Sequence, residues 1–143
     1  MSLLGIGIQS PFAREDAILL PAGAFDVAPI IIPCEGFEDI AFMIGYGRGA
    51  VGGAVSFRVE FSLNQLNWFQ TCDVRAGTLF PGTDIADPMQ AVEFQYVSTG
   101  VSDFFLSPTF NIAGKFCRIS MRESGVVGTP GQAVAQYYLR GYN

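Results

Sequence analysis

The chain has 143 residues, enough for one domain with a single core, and its net charge is -5. The basic residues are scattered from Arg14 to Arg140 without a run, which argues against binding to nucleic-acid phosphates. Apolar stretches such as 28–33 and 40–45 are far shorter than the roughly 20 residues that span a bilayer, so we expect no membrane partner. The mean hydropathy of +0.34 is high for a soluble domain and predicts that some apolar surface meets a partner.

The first predicted element is an extended arm. Prolines divide the N-terminal part of the chain into short extended pieces, because proline cannot donate to a strand ladder. We therefore predict that residues 1–23 form an extended N-terminal arm that feeds an edge strand. The N-terminus lacks the basic start and long apolar centre of a secretory signal, so we expect synthesis and folding in a cytoplasm.

Alternation of apolar and polar residues predicts the strands of the remaining chain. In residues 54–63 the apolar side chains fall mainly on one parity, as in a half-buried strand. The same period of two recurs in residues 40–46, 68–74, 92–96, 103–107, 117–121 and 133–140. Connections rich in glycine and proline separate these segments. The pattern predicts one all-β domain over residues 1–143, a single antiparallel β-sandwich or jelly roll of about eight strands.

The stretch FSLNQLNWFQ, residues 61–70, is typical of a hairpin and contains the only tryptophan. If Leu63 pairs with Trp68 across the turn, Trp68 lies on the apolar face of the preceding strand. We therefore predict that Trp68 belongs to the core and that a four-residue loop places an asparagine in the left-handed conformation. A stacking platform for a sugar ring and an oligomer contact are the alternatives for Trp68.

Two short segments carry apolar residues that one sandwich face cannot bury. The hairpin places one leucine at its tip and one phenylalanine away from the predicted core, and the segment APIIIP adds further apolar side chains. The candidate partner-interface residues are Leu66, Phe69, Ile30, Ile31 and Ile32. Symmetric association is the common way to cover such surface, so we expect a homo-oligomer.

The residue types give little sign of catalysis. The sequence has no histidine, which removes the usual general base, the Ser-His-Asp triad and histidine-based metal sites. Glu60 and Glu93 fall on the polar parity of their strands, where we expect solvated carboxylates and not a glycosidase pair. The spacing of Cys34, Cys72 and Cys117 suits neither a disulfide scaffold nor a metal knuckle, so we expect buried free thiols. We predict no catalytic residues, no metal and no cofactor.

Two loops contain residue types found in ligand sites. GYGRGAVGG, residues 45–53, lacks the lysine and Ser/Thr of a phosphate loop and no helix follows it, so we predict a flexible connection between strands. Asp84 and Asp87 offer oxygen ligands, but a calcium site made of protein alone needs about six or more. We predict that they are ordinary loop carboxylates.

Two segments resemble a known group of proteins. VSFRVEFSLNQLNWFQ, residues 55–70, resembles the strand, S-x-D-G-x-x-W turn and strand of small β-sandwich proteins of tailed-phage particles and of discoidin-like modules, with Gln65-Leu66 in place of Asp-Gly. GKFCRISMRESGVVGTPGQAVAQYYLRGY, residues 114–142, resembles the closing hairpin of phage virion proteins.

The resemblance implies a non-enzymatic structural protein of a virus particle, a capsid decoration or other auxiliary protein on the virion surface. It implies a trimer that binds the major capsid protein or another virion protein. The alternative from a different class is a carbohydrate-binding or adhesion module, in which Trp68, Tyr46, Tyr137 or Tyr138 stacks on a sugar. Exposure of Trp68 would favour that alternative.

Overall fold

The computed structural model describes residues 12–15, 18–19, 24–74, 89–125 and 128–141. All helices and strands assigned in these ranges are β-strands, and none is a helix. The all-β class is therefore confirmed. In chain order the strands are β1 Phe12–Arg14, β2 Ile32–Pro33, β3 Phe37–Gly47, β4 Ala54–Ser62, β5 Phe69–Gln70, β6 Cys72–Val74, β7 Met89–Ala91, β8 Phe94–Val97, β9 Ser102–Leu106, β10 Phe110–Asn111, β11 Phe116–Ser124 and β12 Gln132–Gly141.

Sheet I is antiparallel and has the strand order β9-β3-β12-β1, with β10 also paired to β3. In its central rows, Ile44 of β3 lies between Phe105 of β9 and Ala135 of β12. Successive residues of a strand point to opposite faces, so the even-numbered residues of β3 face one way and the odd-numbered residues the other. The even-numbered set is buried: Ile40, Phe42, Ile44 and Tyr46.

Sheet II is also antiparallel, with the order β2-β11-β4-β5 and with β8 paired to β4 as well. Val59 of β4 lies opposite Ile119 of β11, and both are fully buried. The odd-numbered residues of these two strands form the core side of the sheet. A separate two-stranded ladder joins β6 and β7.

Aromatic rings from both sheets meet in the core. Phe105 of sheet I stacks on Tyr96 of sheet II at 4.0 Å between ring centroids. Phe110 of sheet I meets the edge of Phe94 of sheet II at 5.5 Å. These contacts between the inner faces confirm the predicted β-sandwich.

A buried ion pair closes one side of the sandwich. Nε of Arg14, on β1 at the edge of sheet I, lies 2.9 Å from Oδ2 of Asp26. The same carboxylate oxygen accepts a hydrogen bond from the backbone N of Met121 on β11, at 3.1 Å. Asp26 therefore joins the edges of the two sheets, and both charges of the pair keep a partner, as burial requires.

The N-terminal arm is described only in part. Of residues 1–23, positions 1–11, 16–17 and 20–23 lie outside the described residues, as do Asp84 and Asp87. Within the described part, β1 pairs with β12 of the same chain, and Ile18 forms an isolated bridge with Gln132. This section of the predicted arm therefore forms the edge of sheet I.

The hairpin after β4 has a different register from the predicted one. Phe61 pairs with Phe69 and not with Gln70. This register gives a loop with an odd number of residues, whereas the predicted pairing of Leu63 with Trp68 requires a four-residue loop. An odd number of loop residues reverses which side chains share a face. The residue with positive φ is Gln65, at 63°, and not an asparagine.

Candidate functional site

The outer face of sheet I is apolar across three strands. The odd-numbered residues of β3 and the even-numbered residues of β9 and β12 point outward there, because the other parity forms the core. Two cross-strand rows run through its centre, and they are Phe104–Gly45–Val134 and Leu106–Met43–Gln136. Tyr138, opposite Ala41, continues the face along β12. We call these eight residues the sheet I patch.

The sheet I patch is open to solvent in the described structure. Phe104 is 86% exposed, Leu106 72% and Tyr138 58%. With Met43, these side chains leave on the order of 500 Å² of apolar surface uncovered, judged from the area that such side chains present. That size matches the largest apolar patches of soluble monomers, which often mark functional surfaces.

Polar rows bound the sheet I patch at its two ends. At one end Ser102 and Gln132 flank Gly47. At the other end the Arg140 guanidinium donates to the Asp39 carboxylate, at opposed positions of β12 and β3. An apolar centre with a polar rim is the usual organisation of a protein interface.

Gly45 lies under the most exposed ring of the patch. A Cβ at this position would come within 3.2 Å of the Phe104 ring, so the ring lies directly over the glycine. A groove of about 370 Å³ opens beside the ring, over β3 and against Val134. The patch is therefore uneven, with a projecting ring next to a hollow.

The outer face of sheet II differs because its own chain covers it with charged and aromatic groups. The Arg58 and Arg122 guanidiniums lie 4.4 and 4.7 Å from the centroid of the Phe25 ring. Arg122 also pairs with Glu93, at 2.6 Å. These contacts cover the face with side chains of the same chain, whereas the patch on sheet I has no such cover among the described residues.

Trp68 lies on this outer face, so its predicted place in the core is wrong. The changed hairpin register places Gln70 opposite Glu60 and turns Trp68 to the same side. The indole is half-buried, the guanidinium of Arg118 lies 4.1 Å from its centroid, and Nε1 donates to the carbonyl of Gln65 at 3.3 Å. One face of the ring is therefore occupied by an arginine of the same chain.

The five predicted interface residues differ in their exposure to solvent. Leu66 and Phe69 are 83% and 65% exposed, and Ile30 and Ile31 are about two-fifths exposed. Ile32 is only 1% exposed, so its prediction as an accessible interface residue is wrong. Alternation explains the error, because Ile32 pairs with Cys117 on the core side of β11.

These residues also do not form one surface. The register aligns Ile32, Cys117, Phe61 and Phe69 in one row across four strands. Three strand spacings separate β2 from β5, a distance of roughly 14 Å. The hairpin tip and the segment that precedes β2 therefore lie at opposite edges of sheet II.

The hairpin tip that presents Leu66 is fixed by two polar side chains. Oγ of Ser62 accepts from the backbone N of Gln65 at 2.8 Å, and Oδ1 of Asn64 accepts from the backbone N of Leu66 and Asn67 at 2.9 Å each. These bonds form an Asx-type turn. Leu66 is therefore exposed on an ordered loop.

A buried carboxylate joins the two sheets at one end of the sandwich. Glu123 is 2% exposed. Its Oε2 accepts from the Tyr46 hydroxyl at 2.6 Å and from the backbone N of Gly49 at 3.0 Å. Its Oε1 accepts from the backbone N of Gly131 at 2.6 Å. The pKa of Tyr46 is raised well above its ordinary value, first by burial and then by the hydrogen bond that its hydroxyl donates to Glu123 and by the negative charge of that carboxylate.

Ion pairs occupy the other carboxylates considered for chemistry. Glu60 is buried, against the expectation of a solvated side chain, because Arg118 lies 3.0 Å away and covers it. Glu93 is exposed, as expected.

Among the described residues no group of three or more His, Cys, Asp or Glu side chains is placed to hold a metal ion. The described ranges also contain no helix that is long and apolar enough to cross a membrane.

The cysteines divide into two environments. Cys34 and Cys117 are buried free thiols, as predicted, and burial raises the pKa of Cys34 to about 11. Cys72 is also free, but it is exposed, so its predicted burial is wrong. The predicted continuous strand over 68–74 is divided between β5 and β6, which removes Cys72 from the core alternation.

A second apolar hollow of about 490 Å³ opens at the side of the sandwich. Its aromatic walls are Phe61, Phe94 and Phe110, and none of its described lining residues is charged. It therefore offers apolar packing without an acid-base pair.

Comparison with models of known protein families, with curated proteins and with solved structures finds no match. The sheet I patch is a candidate functional surface that the sequence pattern did not predict. One signal was present, because Phe104 and Phe105 are adjacent, and two adjacent apolar residues of a strand must point to opposite faces.

Proposed function

We propose that this protein is a non-enzymatic structural component of a virus particle, a capsid decoration protein that assembles through the sheet I patch. The observation that carries the binding role is the uncovered apolar centre of this patch between polar rows. The resemblance of residues 55–70 and 114–142 to virion proteins supports the particle as its location.

The covered face of sheet II supports the same choice of surface. There the half-buried guanidiniums stack on rings or pair with carboxylates of the same chain. Binding a protein on that face would first displace these contacts. Binding on the sheet I patch displaces only water from Phe104, Leu106 and Met43, which is favourable.

Purified virus particles test this function. Particles that carry the gene for this chain should contain the chain in a fixed ratio to the major capsid protein, measured by quantitative mass spectrometry. The double variant Phe104→Ser, Leu106→Ser should be depleted from particles at least about tenfold, because it removes the apolar centre of the contact. The control Val51→Ser changes a side chain that is 82% exposed outside the patch, and it should leave the ratio unchanged. Particles without the chain would contradict the proposal.

Carbohydrate binding is the second candidate, and the position of Trp68 on the outer face favours it. The ring is only half-buried, but Arg118 occupies one of its faces. A sugar would therefore stack on the other face, and Trp68→Ala would abolish retention of the protein on a polysaccharide column. Equal retention of the variant and the parent chain would exclude this candidate.

A further inference from the structure

We infer that the partner on the sheet I patch is a second copy of this chain, and that the two copies meet face to face with Phe104 of each in the groove of the other. This inference rests on the proposed function and names the partner of the same surface. The projecting ring and the hollow beside it are the structural basis.

The groove lies next to the ring within one face. It runs between Phe104 and Leu106 of β9 and Val134 and Gln136 of β12, over Met43 and Gly45 of β3. Its volume of about 370 Å³ can hold a phenylalanine side chain. Since Phe104 is 86% exposed, its ring is free to enter a groove on another molecule.

The patch area is sufficient for a pair of identical subunits. Two patches of on the order of 500 Å² bury about 1,000 Å² when they meet, before the rim is counted, and that is the lower limit for a specific interface. The polar rows at Ser102 and Arg140 lie at the ends of the patch and can add to this area.

The charge of the patch permits contact between identical faces. None of its eight residues is ionisable near neutral pH, so two copies meet without opposing like charges. The nearest described ion pair, Arg140 with Asp39, is internally neutralised. An acidic chain of net charge -5 therefore keeps its charges away from the contact.

The geometry favours a dimer over the trimer that the resemblance implies. A single patch on one face can be covered by only one other copy, and a contact of one patch with itself is two-fold symmetric. A trimer needs two different surfaces on each subunit, and one patch does not provide them.

Sedimentation equilibrium of the purified full-length chain tests the inference. The parent chain should have the mass of two chains at micromolar concentration. Phe104→Ser removes the projecting ring, and Val134→Trp fills the groove, so each should raise the dimer dissociation constant at least about tenfold. The control Val51→Ser should not change it.

A mixture of the two variants gives a sharper result. Phe104→Ser removes one wall of the groove but keeps its floor at Met43 and Gly45 and its wall at Val134 and Gln136, and Val134→Trp keeps the ring. A mixed pair therefore retains one of the two insertions, into a groove that lacks only the Phe104 wall. The mixture should therefore associate more strongly than either variant alone. Circular dichroism confirms that each variant is folded; if Val134→Trp does not fold, Phe104→Ser alone decides, because its ring is exposed.

Three results would overturn the inference, and they are a monomeric parent chain, a parent chain with the mass of three chains, and an unchanged dissociation constant for Phe104→Ser. Failure of the proposed function has a different signature, which is absence of the chain from purified particles. A monomer that binds particles through Phe104 would thus refute the dimer and retain the proposed function.

Discussion

The hydroxyl of Tyr46 donates a 2.6 Å hydrogen bond to Oε2 of Glu123, and this bond connects the inner face of sheet I with that of sheet II. The same carboxylate binds the backbone of Gly49 and Gly131, in the connections that follow β3 and precede β12. One buried side chain therefore fixes two connections and two sheets, close to one end of the patch strands.

Removing the Tyr46 hydroxyl should destabilise the domain. Tyr46→Phe leaves Oε2 of Glu123 with only the Gly49 donor, and loss of a hydrogen bond to a buried charge costs about 1.5–3 kcal/mol. Urea unfolding followed by circular dichroism measures the loss. Tyr138→Phe is the matched control, because Tyr138 is 58% exposed and has no such bond. Equal stability of the two variants would contradict the role of Glu123.

Alkaline pH should destabilise the fold through its buried acids. Burial raises the pKa of Cys34 from 9.0 to about 11 and raises that of Tyr46 above its ordinary 10.0. Above these ordinary values the unfolded chain releases protons that the native chain retains, so the free energy of unfolding decreases as pH rises. The decrease should begin near pH 9 and continue through about pH 11.

Urea titrations at several pH values would measure this dependence. Cys34→Ala should flatten the decrease between pH 9 and about 11, because the raised pKa of that thiol is removed. Cys72→Ala, at an exposed cysteine, is the control and should follow the parent chain. Identical pH dependence in all three proteins would show that burial of Cys34 has no linkage to folding.

Trp68 should contribute little to stability because it lies outside the core. Trp68→Ala removes the stacking on Arg118, worth about 1 kcal/mol in a partly exposed site. Phe61→Ala, at a position 3% exposed, should cost about 3–5 kcal/mol. Chemical denaturation compares the two. A loss for Trp68→Ala as large as that for Phe61→Ala would restore the core position that the sequence predicts.

Gly131 should not tolerate a side chain. A Cβ at this position would lie 2.6 Å from the carbonyl oxygen of Gly47 and even closer to the Glu123 carboxylate. Gly131→Ala should therefore cost about 1–3 kcal/mol, as overpacking does. Gly47→Ala is the matched control, since its Cβ would have ordinary contacts at 3.8 Å. Thermal unfolding of both variants, with no difference between them, would contradict this close packing.

Local alternation was sufficient to predict the sandwich but not the register of its hairpin. The period of two places Val59 and Ile119 in the core without knowledge of their partners. The position of Trp68 depends on whether the loop has an even or odd number of residues. Gln65 supplies the positive φ that makes a five-residue loop possible, and residue type alone gives no sign of it.

The inward position of Glu123 can be predicted from its place in the alternation, whereas the sheet I patch depends on the order of the strands. Glu123 continues the series Cys117, Ile119 and Met121, which marks it as an inward-facing residue. Phe104 and Met43 are 61 positions apart, and only the pairing of β9 with β3 brings their strands together. The sequence pattern therefore predicts the apolar residues of the hairpin tip as the interface instead.

Footprinting of the full-length chain with a photoactivated carbene reagent tests the sheet I patch most directly. Labelling of Met43, Phe104 and Leu106 should be several-fold lower in a concentrated solution, where two copies of the chain are associated, than in a solution dilute enough to separate them. Labelling of Val51 and Leu66, both more than four-fifths exposed, should stay constant. Constant labelling of the patch, with protection of Leu66 and Phe69 instead, would contradict the account and identify the hairpin tip as the contact surface.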